Sequence, residues 1–192
     1  MARIEKGQPG YIKARKLKYL IWASGEFAIV AALLILGYVQ TGSKLNLLTV
    51  IAVVGCLPAS KMLVEYITMV PHKGISPDIC SELKEKAPLL ITCYDLIITS
   101  KEKVMPVAAV VIYGNTVCGY TQSSSTDEVK CASYIKEMLE ANGYQKMTVK
   151  VFQSYKAFLL RAEGMNNIAA VEKKTSRRRE EAVRDLILTV SM

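Results

Sequence analysis

The side chains with which this chain could do acid–base, nucleophilic or metal chemistry are few and scattered. His72 is the single histidine, and it stands well before the hydroxyl run Ser123, Ser124 and Ser125. A serine nucleophile needs a neighbouring base, and no glycine-rich loop adjoins the run to cradle a phosphate, so a turn and helix cap is the better account of it. The five cysteines, Cys56, Cys80, Cys93, Cys118 and Cys131, are odd in number and form no C-x-x-C pair. That pattern argues against a disulfide framework or a thiolate zinc site and fits a reducing compartment. Cys93 and Cys118 read as small core residues of strands. No P-loop, dinucleotide-binding or zinc-protease pattern occurs. No residue is therefore assigned to catalysis, a cofactor or a metal.

Charges in costly places are more telling, because Glu26, Lys61 and Glu65 lie inside long apolar runs. The first run, Tyr19 to Tyr38, reads YLIWASGEFAIVAALLILGY; about 20 helical residues reach about 30 Å, the thickness of bilayer hydrocarbon. Tyr19, Trp22 and Tyr38 sit near its ends, where amphipathic rings prefer to lie. A polar turn, TGSKLN, separates it from a second run over 45–70. Together they predict a transmembrane helical hairpin, 19–70, with spans 19–38 and 45–70. The first run is too long for a cleaved signal peptide and lacks a small-x-small site. A buried amphipathic helix in a soluble protein is the competing account of the second. Lys13, Arg15, Lys16 and Lys18, in a basic segment 1–18, outnumber Lys44 in the turn. Lys and Arg stay on the cytoplasmic side, so a two-span cell-membrane protein with both termini cytoplasmic is expected.

Glu26 and Lys61 are equally distant from a turn centred between Ser43 and Lys44, hence at equal depth. A lone lysine deep in a span costs roughly 2.5–3.5 kcal/mol, so an ion pair between them is expected, with Glu65 sharing the ammonium. The plainer alternative is that Lys61 snorkels to the headgroups alone. Pro58 should kink the second helix. Gly25, Ala28, Ala31 and Ala32 would pack against Ala52, Gly55 and Ala59, serving the hairpin more readily than a homo-oligomer.

After a linker, 71–76, the composition becomes that of an ordinary α/β domain, 77–192. Ser76, Pro77 and Asp78 open a helix over about Pro77 to Lys86, stopped by Pro88. Strands are predicted at Leu89–Thr99, Val104–Tyr113 and Thr116–Gln122, the last pair joined by a tight Gly114-Asn115 turn, which makes an antiparallel meander. Ser125 to Glu128 has capping-box form and starts a helix ending at Asn142-Gly143, with Val129, Ala132, Ile135, Met138 and Leu139 on its buried face. A fourth strand, Met147–Phe152, follows. Two helices close the chain: Ser154–Ala162, broken at Gly164, and one carrying Val183, Leu186, Ile187 and Val190 on one face.

Over about Ile75 to Phe152 this order, with ELKEKAPLLITCYDLIIT and the YGNTVCGYTQ hairpin, resembles the core of the restriction-endonuclease-like superfamily and the nuclease-related domain of some bacterial membrane proteins. The resemblance implies an Asp on the second strand and an E-x-K on the third, holding a divalent metal that activates water. The matching positions here read Pro106-Val107 and Tyr120-Thr121-Gln122, without those acids and lysine. Asp95, the one carboxylate between Ala87 and Gln122 outside the SKEK turn, reads as an edge or solvent-facing residue. A rival reading keeps metal-dependent cleavage by pairing Asp95 with Glu82 or Glu85.

The net charge of +8 gathers in the segment before the first run and in Lys173, Lys174, Arg177, Arg178 and Arg179. This last cluster is a candidate contact for anionic lipid headgroups or, less favoured, nucleic-acid phosphates. A solvated helical face with an Arg177–Glu181 pair is the plainer account, since Glu180, Glu181 and Asp185 dilute the positive field. The expected role is non-catalytic binding or scaffolding at the bilayer, with a protein partner or a second copy. A divergent membrane-anchored nuclease-like enzyme and a subunit of an oligomeric transport or channel assembly are the alternatives.

Overall fold

A computed structural model describes residues 4–43, 46–100, 103–172 and 177–191. The chain divides into two compact units, one made of 12–73 and the other of 1–11 with 74–192.

The first unit is a pair of helices, α1 (Tyr11–Thr41) and α2 (Leu47–Met69). Both are long and apolar enough to cross a bilayer. α1 begins inside the basic segment, because Lys13, Arg15, Lys16 and Lys18 are good helix formers and extend the apolar helix by two turns. Asn46 ends the turn and caps α2, its Oδ1 accepting the Thr49 N–H at 2.8 Å. Leu45 and Lys44 lie outside the described residues. α2 runs on through Pro58 without interruption.

Apart from Ile12 and Met69 at the ends of the helices, the buried positions of α1 are Ala23, Val30 and Gly37, each one heptad from the next, and those of α2 are Ala52 and Ala59, also a heptad apart. A Cβ on Gly55 would stand 3.3 Å from Val30, and one on Gly37 would stand 2.7 Å from Asn46 Oδ1. The predicted face of α1 is wrong: Gly25, Ala28, Ala31 and Ala32 are exposed. Small size marked candidates, but the heptad phase selects a different stripe. Most exposed large apolar side chains of the chain, among them Ile21, Trp22, Ile35, Val53, Leu57 and Ile67, lie on these two helices.

The second unit is a mixed four-stranded sheet with helices on both faces. Its elements are α3 (Pro77–Lys86), β1 (Ile91–Thr99), β2 (Val104–Tyr113), β3 (Thr116–Tyr120), α4 (Glu128–Ala141), β4 (Thr148–Phe152), α5 (Tyr155–Glu172) and α6 (Arg177–Val190). Strand order is β1-β2-β3-β4; β1, β2 and β3 form the antiparallel meander, and β4 lies parallel to β3. A parallel neighbour cannot be reached by a tight turn, and α4 supplies the crossover. One core layer joins the sheet to α3 and α5 through Leu83, Tyr94, Val111, Tyr120, Phe158 and Ala162. The opposite layer joins it to α4 and α6 through Cys93, Val110, Ile135, Leu139, Val183 and Ile187.

Four local expectations are corrected here. Asp127, not Ser125, caps α4, its Oδ1 accepting the N–H groups of Val129 and Lys130. The helix is turned so that Cys131 is buried and Val129 is exposed. α5 passes through Gly164 unbroken, because Phe158, Ala162, Met165 and Ala169 bury one continuous stripe, which outweighs the ~1 kcal/mol cost of a helical glycine. Ser76 precedes α3 but makes no side-chain cap bond.

Candidate functional site

The site with the most unusual geometry is centred on Asp95. Instead of facing solvent it is 1% exposed, with φ at +55° in mid-strand. A non-glycine residue held there stores about 1–3 kcal/mol of strain and persists only where its surroundings fix it. Pairing between β1 and β2 runs Tyr94 with Ala109, then resumes at Leu96 with Val107, with no change of register across the gap. The inward and outward phase slips instead: Cys93 and Leu96 face one core layer, while Ala108 and Ala109 both face the other.

That twist aims the Asp95 side chain at two backbone amides. Oδ2 accepts the Gly10 N–H at 2.8 Å and Oδ1 accepts the Ile75 N–H at 2.7 Å. Gly10 immediately precedes α1, and Ile75 belongs to the segment that follows α2. A Cβ on Gly74 would stand 3.3 Å from Oδ2.

The N-terminal segment is held along the same strand. Tyr94 donates its N–H to Gly7 O at 2.8 Å, and Gly7, at φ +86°, lies so near Leu188 that a Cβ would come within 2.9 Å of it. Lys6 Nζ donates to Ser191 O. Ser191 in turn accepts the Ile97 N–H on its Oγ at 3.0 Å and bridges to Ile98. Gly7 and Ser191 thus both lie along the outer edge of β1.

The polar residues of α1 and α2 form a second group, and it is not the expected one. No ion pair joins Glu26 to Lys61 among the described residues. Glu26 lies one turn from buried Ala23 and Val30, with Oε2 buried and without a hydrogen-bond partner, whereas Lys61 is exposed. Lys61 follows buried Ala59 by two residues, about 200° around a helix, so equal depth did not bring it to the same face. Glu65 is half-buried, and the Tyr19 hydroxyl accepts from Arg15 Nε at 3.0 Å and Nη2 at 2.9 Å. Lys16 Nζ donates to Val70 O at 2.9 Å and His72 O at 2.7 Å, satisfying carbonyls at the C-terminal end of α2.

Of the C-terminal basic cluster, Lys173 and Lys174 lie outside the described residues. Arg177, Arg178 and Arg179 are exposed on the first turn of α6, and Arg177 makes the expected i,i+4 pair with Glu181 at 3.7 Å. The neighbouring Glu180 is buried, and its Oε1 accepts the Gly114 N–H at 2.6 Å, tying α6 to the β2–β3 turn. Glu180 is therefore not a surface charge that dilutes the cluster: it shares the buried stripe of Val183 and Ile187, a helical spacing visible in the sequence.

The remaining candidates for chemistry are occupied elsewhere. Glu82 Oε2 accepts the Tyr155 hydroxyl at 2.6 Å, and burial together with that carboxylate pushes the phenol's ionisation up. Glu82 and Glu85 do not gather with Asp95: among the described residues no group of three or more His, Cys, Asp or Glu side chains could hold a metal. Ser123 and Ser125 share a hydrogen bond at 2.8 Å in the turn before α4. Cys93 and Cys131 are buried, which pushes their thiols up to about 12 and about 11. Compared with protein-family models, curated proteins and solved structures, the chain matches none.

Proposed function

We propose that this is a two-span integral membrane protein with both termini cytoplasmic, whose α/β unit binds or scaffolds partners at the bilayer rather than catalysing a reaction. The observation that carries the anchor is the apolar exterior of α1 and α2, where Trp22, Ile29, Ile35, Val53, Leu57 and Ile67 present large side chains outward. Exposing that much contiguous apolar surface to water is unfavourable at about 25 cal/mol per Å², and bilayer hydrocarbon removes the cost. The orientation rests on the four basic residues of 13–18. Binding is favoured over catalysis because the buried carboxylates Asp95 and Glu180 are engaged by backbone N–H groups.

The test is extraction of full-length protein from vesicles with alkaline carbonate, with protease added outside sealed right-side-out cells. Retention in the membrane and a protected α/β unit are expected; release of the intact chain, or digestion of the unit from outside, refutes the anchor or its orientation.

One observation favours a second reading, a divergent nuclease-like enzyme: the helix, three antiparallel strands, helix and parallel strand succeed one another in the order that the resemblance implies. Its test is cleavage of DNA by the full-length protein with Mg²⁺ or Mn²⁺; no cleavage above a metal-free control refutes it.

A further inference from the structure

The sheet has two edges, and the chain treats them differently. Gly7 and Ser191 occupy the outer edge of β1, whereas among the described residues β4 pairs with β3 alone. Thr148 donates its N–H to Asn115 O at 2.8 Å, and Phe152 O accepts from the Thr121 N–H at 2.9 Å. Backbone groups alternate sides along a strand, so Val149 and Val151 turn N–H and C=O outward. The open stretch ends at Gln153, whose N–H is taken by Glu128 Oε1 at 2.5 Å.

Beside this edge lies a cleft of about 380 Å³ between β4 and α4, lined by Val129, Ala132, Val149 and Phe152, with Lys136 and Lys150 at its sides and Glu128, whose Oε1 is engaged by the Gln153 N–H, at its end. Lys150 has no carboxylate partner among the described residues, and Lys136 has only an exposed pair with Glu140 at 3.8 Å.

We propose that this edge takes up an extended acidic segment of a partner protein as an added strand, hydrogen-bonded to Val149 and Val151 and paired in charge with Lys150. Strand addition at a free edge draws affinity from main-chain bonds and selectivity from alternate side chains. Here one row meets the apolar cleft beside α4 and the other flanks Lys150. A second copy is the poorer occupant, because antiparallel pairing of β4 with itself sets Lys150 against Lys150, and like charges directly opposite are destabilising. The inference names the partner chemistry for the binding role above and rests on that role.

The test uses full-length protein in nanodiscs of zwitterionic lipid, titrated with a short synthetic peptide of alternating Glu and Val, with its Lys and Val counterpart as control. The Val149 and Val151 amides should shift and gain protection with the acidic peptide alone. Lys150→Glu should weaken that peptide at least tenfold and admit the basic one. Val149→Pro removes an outward N–H and no ladder bond, so it should weaken binding similarly while the Thr148 and Phe152 amides stay protected. Unchanged amides, equal affinity for both peptides, or protection that grows with protein concentration when no peptide is present overturns the inference. Carbonate extraction, scored separately on vesicles, tells failure of this inference from failure of the anchor.

Discussion

Replacing Asp95 tests the central piece of geometry. Its carboxylate accepts two backbone N–H groups at 2.8 and 2.7 Å from a position 1% exposed. Hydrogen bonds to a charged group are worth about 1.5–3 kcal/mol each, and relief from burying the charge offsets part of that loss. Asp95→Ala should therefore ease local opening at Gly10 and at Ile75 by about 2 kcal/mol each, roughly thirtyfold faster amide exchange, since every 1.4 kcal/mol is tenfold. The substitution also places Ala at φ +55°, a left-handed conformation that costs roughly 1–2 kcal/mol. Asp95→Gly removes the same two bonds without that cost, so it should be the more stable of the two by about 1 kcal/mol. Asp95→Asn keeps one acceptor oxygen and should leave one of the two amides protected. The assay is residue-resolved hydrogen exchange on full-length protein in nanodiscs, with thermal unfolding of each variant alongside. Wild-type protection at Gly10 and Ile75 in the Ala variant would refute the clamp, and a Gly variant no more stable than the Ala variant would refute the strain.

Cys93 and Cys131, with thiols pushed up to about 12 and about 11 by burial, should resist iodoacetamide at pH 8 in native protein and react only after denaturation, as read by mass spectrometry. Glu180→Ala leaves the Gly114 N–H without its acceptor and opens a gap under α6, so it should lower stability by about 2 kcal/mol, while Glu180→Gln recovers most of that in thermal unfolding. Burial and the Lys16 ammonium push His72 below its ordinary value of 6.5, so its imidazole should titrate below that value by NMR. Because the folded form resists protonation, the resulting stabilisation is present above pH 6.5 and is lost as the pH falls through the lower folded value.

Elements carried by local pattern were readable in advance. Pro77–Lys86 and Val104–Tyr113 form the predicted helix and strand with the predicted bounds, since a proline start and a dense β-branched run are local signals. The antiparallel meander followed from the short turns at SKEK and Gly114-Asn115. Errors arose where packing overrules a local preference. Gly164 marks a helix end by propensity, yet the buried stripe of α5 carries the helix past it. Val129 suits an apolar face by periodicity, yet the cap at Asp127 and the fit of Cys131 turn α4 away from it.

By itself the sequence determined two apolar helices long enough for a bilayer and a four-strand α/β unit behind them, because hydrophobic length and periodicity are additive along a chain. It also placed Glu26 and Lys61 at matching depth, but not on matching faces, since azimuth depends on which stripes interlock. Only the tertiary structure decided that residues 4–10 join the α/β unit, that Asp95 turns inward to hold Gly10 and Ile75, and that β4 is the edge left open. Each of these is a meeting of segments far apart in sequence, where a buried N–H must find an acceptor, and no local pattern states which acceptor it will be.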